Sequence, residues 1–310
     1  MSWQLVANNG AGDECSPEEI EMAIVPRTGD IGGFEVQRAL PFRHKRMVGP
    51  FVFWDQMGPG EFLTGQGVDV RPHPHIGLST VTYLFNGTLD HRDSLGTNCT
   101  ITPGDVNLMT AGRGIVHSER TGLEVRKQPS MLYGIQSWVA TPMALEEGDP
   151  KFHHQGKADL PSWTDGGVQG RLIMGDFGGL SSPVPTDWET VYADIALDPG
   201  ARFSIPPDHE ERALYLLEGE VEIGGLGWPP RQMLVLKPGK PVDLRAVTPA
   251  RVLLLGGACM DGPRYIWWNF VSSSKERLEE AKRAWAAREF PAVPGDDERV
   301  PMPGESVDGE

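Results

Sequence analysis

Two short doublets carry the most chemistry in this sequence, His73-Pro74-His75 and His117-Ser118-Glu119. Successive side chains of a β-strand point to opposite faces, so residues i and i+2 share one. Two such doublets on neighbouring strands would aim three imidazoles and a carboxylate into one cavity, a set suited to a divalent metal. Hydrogen-bonded polar side chains are the plainer reading of the same residues. Neutral imidazole and carboxylate suit Fe(II), Mn(II), Ni(II) or Zn(II), and the lack of thiolates disfavours copper(I) and iron–sulfur clusters. Four protein ligands on a six-coordinate ion leave two positions for water, dioxygen or a chelating substrate. Non-haem Fe(II) is the first expectation, with Mn(II), Ni(II), Cu(II) and Zn(II) left open by ligand type. Glu119 could compensate the charge of the ion or act as general base toward a substrate hydroxyl.

The segments that must position these doublets read as strands. Residues 78–84 are β-branched and aromatic. Asn86-Gly87 after them predicts a hairpin, with 88–94 as its returning strand. Pro103-Gly104 and Gly112-Arg113-Gly114 mark turns before residues 106–109 and 115–117, and 131–139 completes a first set. Upstream, 51–54 is a short apolar run closed by a turn at Gly58-Pro59-Gly60. Residues 141–170 are acidic and Pro/Gly-rich, a connection after which strand-like runs resume.

The second cycle places Gly219 in the order of Gly87, and Pro238-Gly239 in that of Pro103-Gly104. This weak duplication predicts an all-β chain of two jelly-roll barrels. The expected spans are 20–145, 171–270 and a C-terminal helix with acidic tail over 271–310. Ser273 and Glu276 have capping-box spacing, and Leu278, Ala281 and Trp285 form an apolar stripe. Lys275 with Glu279, and Glu279 with Arg283, are i,i+4 pairs. Residues 1–19 and the tail after Pro291 are expected to be frayed or mobile. The second half contains only His209 in the matching region, so its barrel is expected to lack a metal site.

Acidic residues number 43 against 28 Lys plus Arg, a formal charge of −15 that disfavours direct nucleic-acid binding. Cys15, Cys99 and Cys259 are isolated, which argues against a disulfide scaffold or thiolate cluster. No signal peptide or membrane-spanning run is visible, so a cytoplasmic protein with no membrane partner is expected; a monomer is expected as well.

The run from His73-Pro74-His75 through Asn86-Gly87, with His91-Arg92-Asp93-Ser94, Pro103-Gly104-Asp105 and residues 109–119, resembles the pirins of the cupin superfamily. The 265–271 segment is similar to that family's C-terminal portion. The resemblance implies a bicupin with one metal, usually iron, in the N-terminal barrel on His73, His75, His117 and Glu119. Some pirins act as quercetin 2,3-dioxygenases that cleave a flavonol with dioxygen. Others are described as redox-sensitive cofactors that bind a protein partner. The two expectations are thus a dioxygenase acting on a small aromatic, chelating substrate and an iron-dependent regulatory module. Ser79 stands where many pirins have Glu, so a charged neighbour of the site is expected to be missing. His91 to Asp93 could line the cavity, Arg113 could bind an anionic substrate group or face solvent, and Cys99 has no assigned role.

Overall fold

The computed structural model describes residues 17–31 and 33–305. Cys15 and most of the 1–19 terminus lie outside them. Each of two β-barrels is a large sheet closed by a smaller one. The first uses seven strands in the order Lys151–Gln155, Val106–Thr110, Leu78–Asn86, Ser130–Ala140, Phe51–Phe62, Glu35–Leu40 and Arg27–Asp30. Facing it is a sheet of Asp69–His75, Ile115–Arg120, Leu89–Asp93 and Asn98–Ile101. The second barrel repeats the plan, with its small sheet formed by Arg202–Ile205, Val242–Ala246, Val221–Ile223 and Leu226–Trp228. These are two jelly-roll barrels, and among the described residues the single α-helix, Lys275–Ala286, lies at the C-terminal end.

Asn86-Gly87 does not close a hairpin. Leu78–Asn86 lies in the large sheet and Leu89–Asp93 in the small one, so Gly87 turns the corner between sheets. Its φ is +79°, and a Cβ there would stand 2.1 Å from the Met131 carbonyl oxygen. Gly219 repeats the arrangement at φ +71°, with a Cβ position 2.1 Å from the Pro249 oxygen. Only glycine fits either corner without displacing backbone.

The Pro-Gly turns match differently from the expectation. Pro238-Gly239 leads from Gln232–Leu236 to Val242–Ala246, so its counterpart is the 111–114 turn before Ile115–Arg120. Pro103-Gly104 corresponds instead to residues 229–231, because turn residues recur at several corners of a jelly roll. Gly58-Pro59-Gly60 does not end its strand either. Phe51–Phe62 runs through it, and the register against Ser130–Ala140 shifts between Leu132 and Gly134, a bulge that accommodates the proline.

Ile20–Ile24 pairs with Gln232–Leu236 in the second barrel, whereas Lys151–Gln155 pairs with Val106–Thr110 in the first. The chain therefore passes between barrels after Gln155, within the 141–170 connection. The large sheets meet through Trp54, Val81, Tyr83 and Ile135 on one side and Tyr192, Tyr215, Leu253 and Leu255 on the other. Tyr83 donates to Asp194 and Tyr215 to Gln56, at 2.9 Å each, so these buried hydroxyls are satisfied.

The helix Lys275–Ala286 is capped by Ser274, whose Oγ accepts from Arg277 N, one residue after the expected cap. Ser273 instead donates to Glu146. Leu278, Ala281 and Trp285 pack on Ile76, Val116 and Phe270 of the first barrel's side, as the stripe predicted. Glu279 pairs with Lys282, and Lys275 lies over the Tyr265 ring, in place of the expected i,i+4 pairs. The tail after Pro291 is not loose through residue 305. Val300 N donates to Pro72 O at 2.9 Å, and Arg120 pairs with Asp296 at 3.0 Å.

Candidate metal centre

Three strands of the small sheet build the centre. His117 sits directly opposite His73 on one neighbour and Asp93 on the other, and Glu119 sits opposite His91. Facing residues of antiparallel strands share a side, so both doublets and the His91/Asp93 pair point into the barrel. A register shift between His117 and Glu119 places a bulge at Arg71-Pro72, next to His73. The interior of the second barrel is hydrocarbon at the equivalent strands, with Ile205, Val242, Leu244 and Ala246 in its core.

The ligand atoms of His73, His75 and His117 all lie within 4.8 Å of one another, and those of His91, His117 and Glu119 form a second such group. Thus the structure brings the three expected imidazoles together, while Glu119 joins them through His117 and not in one set of four. Thr82 Oγ1 lies 3.2 Å from Glu119 Oε1 and 2.6 Å from Gln136 Oε1, its single proton serving one of them. Gln136 Nε2 donates to Glu119 Oε2 at 3.3 Å.

Backbone partners decide the tautomers. His73 Nδ1 lies 2.9 Å from Arg71 O and His75 Nδ1 lies 3.0 Å from Asn269 O. A carbonyl only accepts, so both rings carry their proton on Nδ1 and present bare Nε2. His75 Nε2 stands 3.1 Å from His117 Nε2. Two nitrogens bound cis to one ion at about 2.1 Å would be about 3.0 Å apart, so the spacing fits a shared cation. Burial pulls His73 down to about 4 and holds His75 and His117 well below the ordinary histidine range, keeping all three neutral as ligands must be. Burial pushes Glu119 up, and the Thr82 bond offsets part of that rise. The donor set fits a divalent N/O-preferring ion.

A cavity of about 450 Å³ ends on His73, His75 and Glu119. One wall is the stacked pair Phe53 and Trp138, with ring centroids 4.0 Å apart and planes 13° apart. Arg38 and Asp55 line it as well, joined by two bonds of 2.8 and 2.6 Å, with the guanidinium over the Phe53 ring. Trp268 and Val300 from the C-terminal region complete it. Nothing in the sequence marks these lining residues, because each lies on a strand or loop remote from the doublets.

Ser79 lies on the face of its strand opposite Thr82, away from Glu119 and the three imidazoles. It bonds Thr110 at 3.0 Å and lines a cleft between the barrels, so a glutamate missing there removes no neighbour of the centre. Arg113 pairs with Asp149 on the surface, which favours its solvent reading. His209 bonds Glu189 at 2.6 Å and lies 3.1 Å from the Asp176 oxygen.

Paired jelly-roll barrels with imidazoles converging inside one of them define a bicupin. The chain belongs to the pirin family: residues 33–139 match the Pirin profile and 192–291 the Pirin C-terminal cupin domain. A pirin-like protein of Caulobacter vibrioides is 49% identical over 272 residues, covering 86% of this chain and 93% of its own. The crystal structure of quercetin 2,3-dioxygenase from Acinetobacter baumannii superposes with a TM-score of 0.85 at 34% identity, over 93% of this chain and 96% of that one. A bacterial pirin of Escherichia coli in complex with nickel(II) shares the fold, with a TM-score of 0.60 at 18% identity over 77% and 99% of the two chains. Among the described residues no helix is long and apolar enough to cross a membrane.

Proposed function

We propose that this pirin is a metal-dependent dioxygenase that opens the ring of quercetin or a related flavonol. The observation that carries this reading is the cavity of about 450 Å³ that ends on the imidazoles and is walled by the Phe53/Trp138 stack. Its size and its aromatic and polar lining suit an aromatic ligand with adjacent oxygens. His73, His75 and His117 would hold the ion, with Glu119 as the fourth ligand or the base beside it. Iron(II) is the proposed metal, and the nickel(II) of the Escherichia coli relative keeps nickel a candidate. When bound, the ion supplies a chelation point for neighbouring hydroxyl and keto oxygens and a path for electrons to dioxygen.

The chain's own residues do the rest. Phe53 and Trp138, already stacked on each other, present an apolar aromatic wall against which the substrate rings would pack. Glu119, whose affinity for protons burial has raised, accepts the proton of the substrate hydroxyl at the inner end. Gln136 holds that carboxylate by donating to Oε2. Arg38, locked by Asp55, offers its remaining N–H groups to substrate oxygens.

Anaerobic addition of quercetin to iron-loaded protein tests the reading. Its absorption should shift, and admission of air should consume dioxygen and release carbon monoxide. Metal-loaded protein that does neither would reject the dioxygenase and leave the metal-responsive, partner-binding reading.

A further inference from the structure

We propose that His91, oriented by Asp93, is the positioning residue that fixes the tautomer and ring angle of His117. The inference rests on the reading of His73, His75 and His117 as a metal site. A histidine ligand needs a partner for its far nitrogen, which sets the tautomer and the direction of the ligating lone pair. For His73 and His75 that partner is a backbone carbonyl. His117 differs. Its Nδ1 faces His91 Nδ1 at 3.4 Å.

An imidazole can donate or accept, so this contact settles nothing until the proton on His91 is placed. Asp93 places it. His91 Nε2 lies 3.0 Å from Asp93 Oδ2, and that carboxylate is wholly buried. Its other oxygen already accepts from Leu95 N at 2.9 Å and Thr97 N at 3.1 Å. His91 therefore carries its proton on Nε2 and turns a bare Nδ1 toward His117. His117 must donate from Nδ1, which leaves its Nε2 bare and facing His75. The Phe152 ring, 4.6 Å from that of His91 and inclined by 26°, holds the angle.

His91 is not itself a ligand in this arrangement. The two nitrogens of an imidazole point in widely divergent directions. An ion on the Nε2 side of His117 is thus beyond the reach of a group that meets its Nδ1. An ion shared between His91 and His117 would have to displace the proton that links their two Nδ1 atoms.

Asp93→Asn tests the chain of bonds with little change of shape. The amide oxygen can keep the Leu95 and Thr97 bonds, while its NH₂ donates to His91 Nε2. The proton of His91 then moves to Nδ1, and that of His117 to Nε2, where the metal should bind. Two readouts are taken on the full chain. Side-chain ¹⁵N spectra of metal-free protein report the tautomer of His117, and zinc(II) titration reports affinity. The expected results are an Nδ1–H form in the parent, an Nε2–H form in the variant, and a loss of affinity of about 10–100-fold. His91→Phe, which keeps the stack on Phe152 but cannot accept, should lose affinity by a similar factor. An unchanged His117 tautomer in Asp93→Asn, or zinc affinity equal to the parent in both variants, would overturn the proposal. Parent protein that binds no zinc would instead count against the metal-site reading, and the tautomer spectra would still decide the role of His91.

Discussion

His75 Nδ1 meets the backbone oxygen of Asn269 at 3.0 Å, a contact spanning 194 residues. It ties the C-terminal hairpin of Tyr265–Trp267 and Phe270–Ser272 to the imidazole cluster of the first barrel. Phe270, fully buried beside Trp267, Trp268 and Phe290, anchors that hairpin. Phe270→Ala should cost about 3–5 kcal/mol of stability. It should also speed metal release although no ligand is altered, as stopped-flow transfer of the ion to a chelator would measure.

Arg38 makes two bonds to the buried Asp55 and lines the cavity. Arg38→Lys keeps the charge that Asp55 needs but loses the planar fork. If the side chain holds substrate oxygens, KM for the flavonol should rise by about tenfold or more, from a lost charged hydrogen bond of about 1.5–3 kcal/mol. Metal content should be unchanged, and steady-state kinetics with parallel metal analysis separates the two.

The buried histidines give the metal-free protein an acid-sensitive window. His73 has an ordinary pKa of 6.5 and is pulled to about 4 by burial, so between those values the unfolded chain binds more protons than the fold. Its contribution is therefore present above the ordinary value and is lost as pH falls toward the depressed one. His75 and His117 act in the same direction, whereas Glu119, raised by burial, acts oppositely. Urea midpoints of chelated protein should fall between about pH 7.5 and about pH 5, and bound zinc should steepen the fall.

Arg120 reaches Asp69, Asp296 and Glu298, clasping the C-terminal tail to the small sheet. The pairs with Asp69 and Glu298 are partly exposed and contribute only about 0–1 kcal/mol each, and only the Asp296 side chain is buried, so Arg120→Ala should remain folded while loosening the tail. Limited proteolysis should nevertheless cut faster within residues 291–305. Because Val300 lines the cavity, substrate affinity should shift as well.

The doublets were legible because a period of two fixes which side chains share a face, and no tertiary knowledge is needed for that step. The apolar stripe of Leu278, Ala281 and Trp285 was legible for the same reason at the helical period. Asn86-Gly87 misled because one dipeptide serves both a tight hairpin and a corner between sheets, and only the strand partners distinguish them. The role of His91 was hidden because its meaning depends on two contacts, with Asp93 and with His117, 26 residues away. The tail looked mobile by composition, yet its order rests on Trp285 Nε1 donating to Val300 O and on Arg120, neither of which a local window contains.

Metal analysis of protein purified without chelator, beside the His75→Ala variant, tests the centre most directly. The expected result is a single divalent ion per chain in the parent and its loss in a variant that keeps the parent's circular dichroism. Equal metal content in the two proteins, or none in the parent after reconstitution with iron(II), nickel(II) and zinc(II), would contradict a metal centre on these imidazoles.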